Sequence, residues 1–310
     1  MSAQVTEAAA PDAWFDHMRA GRWEDAWRIK DAQMATRRNV PCWHWPRHEQ
    51  YVWTGERFDD RRVLVRCYHG LGDTIQFIRF MPTLRERARE VIVWAQPGLL
   101  PLLATVKGVD RLLPLHEGAP EADFDVDVEI MELPHAFRTT LDAIPASVPY
   151  LHASPLPMPR DRSRPAVGLV WKAGTWDVRR SIAYPKIRRL LAIGGIDWFV
   201  LQPDAHASGW QGDAGQWPGE LNLLDHARAV KSMDLLITID SMPAHVAGAL
   251  GVPVWTLLPH DADWRWMADR DDSPWYPTMR LFRQREPGEW SPVIARISDE
   301  LASFTRDRTG

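Results

Sequence analysis

Residues 62–68 form a compact run rich in β-formers, and the hydrophobic period changes directly after it. A glycine turn at 70–72 is followed by residues 74–89, where Ile75, Ile78, Phe80 and Leu84 fall at helical spacing. Strand, glycine turn and helix open a βαβ unit. The pattern continues with a strand at 91–94, a helix at 99–106, a short strand at 111–115 and a strand at 124–130, in which carboxylates alternate with Phe and Val. Residues 154–165, rich in proline and charge, read as a hinge. The alternation then restarts: strands at 166–171, 198–202, 235–239 and 253–258, with helices at 185–193, 225–232 and 243–250. Two βα arrays in succession predict an α/β protein with two open domains, 61–155 and 166–290, facing each other across a cleft. Open parallel sheets bind ligands at the carboxyl ends of their strands.

Outside these arrays the pattern is different. Residues 12–38 read as two short helices, with Trp14, Phe15 and Met18 on one face, an interruption at Gly21, and Trp23, Ala26, Trp27 and Ile29 continuing the spacing. One such pair resembles a single tetratricopeptide-type unit. A solenoid needs about three repeats and no second copy follows, so residues 1–60, including an aperiodic Trp- and Pro-rich stretch from 39 to 60, are expected to cap the first domain. The amphipathic segment 291–305, within a C-terminal region 291–310, is expected to cross back onto that domain.

Composition narrows the function. A chain of 310 residues, 45% apolar, can bury a large core, and a net charge of −4 with a pI near 6.3 supplies no global basic field for nucleic acid. Cys42 and Cys67 are too few for a disulfide framework and lack metal-ligand spacing. Residues 1–10 have no leader signal, and no run approaches the roughly 18 apolar residues that span a bilayer. A cytoplasmic protein is expected, with any membrane role peripheral, at the inner face of the inner membrane. The 17 tryptophans suit stacking on sugars and bases, and suit core packing equally.

Three clusters carry candidate chemistry. Gly70 and Gly72 allow a tight turn and a close backbone approach. Asp73, at the first turn of the following helix, either caps that helix or serves as a general base toward an attacking hydroxyl. In the second array Asp240-Ser241-Met242-Pro243-Ala244-His245 joins a strand to a helix whose first helical residue should be Pro243. Its free N–H groups suit a pyrophosphate, which Asp240 and His245 would help to orient. Lys172, Arg179 and Arg180 follow the first strand of the same array and would stabilise charge on a leaving diphosphate in place of a metal ion. Residues 261–276, where aspartates alternate with Trp and Arg, read as a closing loop or as surface decoration.

At 70–84 (GLGDTIQFIRFMPTL), 167–182 (VGLVWKAGTWDVRRSI), 234–259 (DLLITIDSMPAHVAGALGVPVWTLLP) and 263–284 the sequence resembles glycosyltransferase family 9, the heptosyltransferases, and most of all bacterial members fused to tetratricopeptide units. The resemblance implies a GT-B fold of two Rossmann-like domains. It also implies an inverting displacement without catalytic metal or cofactor, and an ADP-heptose donor. It makes Asp73 the base, places Arg180 near the family's donor-binding lysine, and matches Asp240, Ser241 and His245 to the donor motif. Met242 stands where the lipopolysaccharide enzymes carry Gly, and Lys172 where a small residue is frequent. The acceptor would be a glycan or a protein hydroxyl. A nucleotide-sugar epimerase of the same architecture, or a non-catalytic protein binding a nucleotide sugar or a partner, are the alternatives.

Overall fold

The computed structural model describes residues 11–306; residues 1–10, read above as lacking a leader signal, and 307–310 lie outside them. Two helices, α1 (Pro11–Arg19) and α2 (Trp23–Arg37), precede a four-stranded parallel sheet of order β3-β2-β1-β4, with β1 Arg62–Arg66, β2 Glu90–Ala95, β3 Arg111–Pro114 and β4 Val126–Glu129. Helices α3 (Leu71–Phe77), α4 (Met81–Arg85), α5 (Leu100–Leu103) and α6 (Leu133–Ala136) connect and follow these strands. The second sheet is also parallel, with order β6-β5-β7-β8-β9. Its strands are β5 Ala166–Val170, β6 Asp197–Val200, β7 Leu235–Ile239, β8 Val254–Leu258 and β9 Met279–Arg283. They are connected through α7 (Tyr184–Ile187), α8 (Leu223–Lys231) and α9 (Met242–Leu250), and α10 (Ser291–Arg306) closes the chain.

Strands β5, β7 and β8 are buried along their whole length, as parallel strands covered on both faces must be. Helix α9 follows the same logic. Every residue from Pro243 to Leu250 is buried, because the helix lies among β7, β8, α8 and, from the other half, α3. A single apolar cluster therefore runs from Val63 and Val65 through Ile75 and Phe77 to Ala244, Ala247 and Val254, uniting the two halves.

Several expectations need correction. The helix expected over 74–89 begins at Leu71 and is broken by a 3-10 turn at Ile78–Phe80 before Pro82 restarts it. The proline-rich connection is not a free hinge. Leu156 donates its N–H to Arg228 O (3.0 Å) and accepts from the Ser232 hydroxyl (2.7 Å), and Arg160 pairs with Asp234 at 3.2 Å. These contacts strap it along α8. Strand β9 follows the 261–276 segment, at positions where no strand was expected. Helix α10 does not cross back: Val293, Ile294, Ile297 and Leu301 pack on the second sheet beside Trp255 and Phe282.

Candidate functional site

The end of β1 leads through Cys67–Gly70 into α3, and the start of that helix holds the first candidate. Asp73 is the third helical residue, and its Oδ2 accepts the N–H of Gly70 at 2.9 Å. This satisfies an N–H the helix cannot satisfy itself. Neither Gly70 nor Gly72 has a left-handed backbone, so the turn itself does not require them. Gly72 is required by proximity. A Cβ there would lie 2.8 Å from Cδ2 of His245 on α9. The close approach expected toward a ligand is thus made to the protein's own opposite half.

On that half, Ser241 is the N-cap of α9, with extended backbone and no side-chain cap, and Pro243 is the second helical residue, one place later than expected. Ser241 and Met242 are half-buried, and no side chain caps this helix start. His245 is 2% exposed. Its Nδ1 lies 3.0 Å from the Tyr276 hydroxyl, and its ring stacks on Trp266 at 5.4 Å. Burial, reinforced by the positive charges of Arg265, Arg79 and Arg180, holds His245 well below the ordinary imidazole range. It is a neutral ring buried between the starts of α3 and α9.

Arg180, half-buried, donates from Nη1 to the carbonyl of Asp240 at 3.0 Å, whereas Lys172 is exposed and Arg179 is spent on Asp177 at 2.9 Å. The Asp240 carboxyl, 4% exposed, is pushed up to about 6 by burial and by the neighbouring Asp263, against the pull of Arg265, Arg180 and the Trp266 indole.

The residue that unites the candidates was not among them. Arg265, 8% exposed, extends from the second half to Asp73 Oδ1 at 2.8 Å, with its Nε 3.2 Å from Asp263. Burial pulls its pKa down, but Asp263, Asp73 and Asp240 together raise it, so the guanidinium stays charged at the junction. Trp264, Trp266 and Trp275, weighed as stacking surfaces, are buried. Trp23 of α2 stacks on Trp275 at 5.5 Å and meets Trp264 edge-on at 6.1 Å, so the N-terminal cap buttresses the loop that carries Arg265. Trp43, Trp45 and Trp176 remain exposed.

Chemically, the junction offers a carboxylate, a helix start without a side-chain cap and two guanidinium groups at the carboxyl ends of two parallel sheets. Among the described residues no group of three or more His, Cys, Asp or Glu is arranged to hold a metal ion, and no helix is long and apolar enough to cross a membrane.

No family model matches the chain. A curated relative, Protein FlbA of Caulobacter vibrioides, is 22% identical over 290 residues, covering 81% of this chain and 48% of that protein; the chain spans about half the length of this relative. Among solved structures, a family 9 glycosyl transferase from Veillonella parvula matches with a TM-score of 0.58 at 12% identity, covering 82% of this chain and 98% of that one. The ADP-heptose lipopolysaccharide heptosyltransferase II of Escherichia coli matches with a TM-score of 0.53 at 15% identity, covering 80% and 100%. The iron-containing dodecameric glycosyltransferase TibC of enterotoxigenic E. coli gives 0.52 at 17%, covering 76% and 68%. The fold is GT-B, and the resemblance to family 9 drawn from the sequence holds at the level of the fold.

Proposed function

We propose that this chain is a glycosyltransferase that moves a sugar, heptose by preference, from a nucleoside diphosphate donor to a hydroxyl of a glycan or protein, by inverting displacement and without a catalytic metal. The observation that carries the reading is the meeting of the α3 and α9 starts. Asp73 stands on one side, the uncapped Ser241–Met242 turn on the other, and Arg265 between them. In this reading the donor's diphosphate sits at the start of α9, where backbone N–H groups and the helix dipole favour an anion.

Arg180 and Lys172 would offset the charge that develops on the leaving diphosphate. Arg180 is already oriented by the Asp240 carbonyl. Asp73 would take the proton of the acceptor hydroxyl as that oxygen attacks the anomeric carbon. Its Oδ1 is held by Arg265 in the structure, so an arriving diphosphate that draws Arg265 away would free this oxygen when the donor is in place. Chemistry would then follow donor binding, limiting hydrolysis of a lone donor. The site of action would be the cytoplasm, at the inner face of the inner membrane where the acceptor is membrane-bound.

A ligand that binds only the native state raises its melting temperature by mass action. ADP is expected to raise it more than UDP or GDP, and ADP-heptose with an acceptor is expected to give a product heavier by one sugar, with or without EDTA. Absence of any shift with all three nucleotides, together with no mass gain on any acceptor, refutes the reading; a rearranged donor with no transfer identifies an epimerase.

A further inference from the structure

Trp176 is 85% exposed, and Val178, two residues on, is 69% exposed. Both lie on the connection from β5 to α7. The base of that connection is pinned: Ile182 donates its N–H to Trp171 O at 2.8 Å, and Ala173 donates to the Ser181 hydroxyl at 3.1 Å. Isolated exposed apolar side chains are common, but this indole is seated on a cation of the candidate site. The guanidinium carbon of Arg180 lies over the ring, 5.2 Å from its centroid. Arg180 Nη1 in turn donates to the Asp240 carbonyl, at the turn from β7 into α9. Trp43 offers a comparison. It is also exposed and stands over Arg66 at 5.7 Å, but that guanidinium is neutralised by Asp127 at 2.7 Å. Arg180 is held by a neutral carbonyl, and its Nε is buried with no hydrogen-bond partner among the described residues. An open indole face and a cation with unused donor capacity thus stand together beside the start of α9.

The topology says which part of a donor would reach this ring. Strand order β6-β5-β7-β8-β9 in a parallel sheet brings the connections after β5, β7 and β8 to one end, in that order. The first carries Trp176, the second opens α9, and the third carries Arg265, whose Nη2 meets Asp73. A diphosphate at the start of α9, with its sugar turned toward Asp73, therefore has its nucleoside on the β5 side. We infer that the nucleobase of the donor stacks on the open face of Trp176, with Arg180 against the other face. The inference rests on the glycosyl-transfer reading and specifies how that site takes the nucleoside end of its donor. Every nucleobase has a π face, so stacking on an aromatic ring supplies affinity whatever the base. A bicyclic purine covers more of the indole than a pyrimidine does, and the larger buried area favours it. A guanidinium on the far side is attracted by the quadrupole of the ring, which keeps the Arg180 charge close to the diphosphate. Trp176 is in this sense a binding residue for the donor and takes no part in making or breaking bonds.

The test is calorimetric titration of the full chain with ADP, UDP and inorganic pyrophosphate, for the wild type, Trp176→Ala, Trp176→Leu and Trp176→Phe. A side chain so exposed contributes little to folding, so Trp176→Ala is expected to keep the wild-type melting temperature. It is expected to weaken ADP by roughly 5- to 150-fold, to weaken UDP less, and to leave pyrophosphate within twofold. Trp176→Phe should restore most of the ADP affinity, whereas Trp176→Leu, apolar but not aromatic, should not. In sugar transfer the Ala variant should raise the donor KM and keep kcat. A wild type that binds ADP while Trp176→Ala stays within twofold of it overturns the inference and leaves the functional reading standing. So does an equal loss for ADP and pyrophosphate, which would mean that the ring acts through the charge of Arg180, or full ADP affinity in Trp176→Leu. A wild type that binds none of the nucleotides and transfers no sugar refutes the functional reading, and the inference falls with it.

Discussion

Asp73 and Arg265 lie 192 positions apart in the chain, yet Oδ1 of the first is 2.8 Å from Nη2 of the second. The pair spans the junction of the two halves, with Asp263 and Asp240 close enough to act on the same guanidinium. Removing a buried partner of such a group leaves like charges uncompensated, at a cost of about 3–5 kcal/mol. Arg265→Ala is therefore expected to lower the urea midpoint strongly, whereas Asp73→Asn, which leaves Arg265 with two carboxylates, should cost much less. The double variant measures the coupling. Equal losses for the two single variants would mean that the pair is not the organising contact.

Gly72→Ala places a methyl group 2.8 Å from the His245 ring, and that ring cannot retreat because Trp266 and Tyr276 hold it. Overpacking of this kind costs about 1–3 kcal/mol. The expected result is a lower melting temperature together with weakened nucleotide binding. Gly194→Ala, with nothing within 4 Å of the added atom, serves as the control and should leave both unchanged.

Two buried groups give opposing slopes of stability with pH. His226, whose Nε2 has no hydrogen-bond partner among the described residues, is pushed down to about 4 by burial. The unfolded chain takes up that proton near 6.5. Its contribution is therefore complete above pH 6.5 and is lost as the pH falls toward 4, amounting to about 3 kcal/mol. Asp240, pushed up to about 6, works the other way. The native state holds the proton between pH 4 and 6, so stability falls as the pH rises through that window, by up to about 3 kcal/mol. Asp240→Asn should raise the melting temperature at pH 7.5, leave it unchanged at pH 3.5, and weaken donor binding. His226→Leu should remove the acid-side loss and expose the opposite slope. Parallel pH curves for the two variants would contradict both assignments.

Trp23 donates its indole N–H to Met18 O at 3.1 Å while its ring stacks on Trp275. Trp23→Ala opens a cavity among the aromatic rings and is expected to cost about 3–5 kcal/mol. Hydrogen exchange in residues 263–276 should rise with it, because that loop leans on the cap. Unchanged protection there would show that the loop holds its shape without the helices.

The local pattern was sufficient where an element is defined by its own residues. Strands β1, β5, β7 and β8 are near-continuous apolar runs, and α9 has Ser241 before it and a proline in its first turn. Strand β9 escaped notice because its burial depends on β8, and its sequence, Met-Arg-Leu-Phe-Arg, is framed by aspartates, tryptophans and arginines that read as loop. Arg265 was seen only as one of several charges, since its partner Asp73 is brought to it by tertiary folding alone. A single signal was available: an arginine flanked by Trp264 and Trp266 in an otherwise acidic stretch is poorly placed for solvent. His245 was placed correctly on its helix. That it packs against Gly72 depends on the packing of α3 against α9, which no periodicity within either segment encodes.

The apolar cluster shared by the two sheets also bears on how the molecule comes apart. With Ile75 and Phe77 in the same cluster as Ala247 and Val254, one face of each half is finished by the other, although the second half also keeps a core of its own between its sheet and α10. Calorimetry should register one endotherm, and a recombinant fragment holding either sheet alone should expose greasy surface and precipitate. The two lobes are thus poor candidates for exchange by recombination between distant homologues, and changes at their seam must arise in matched sets.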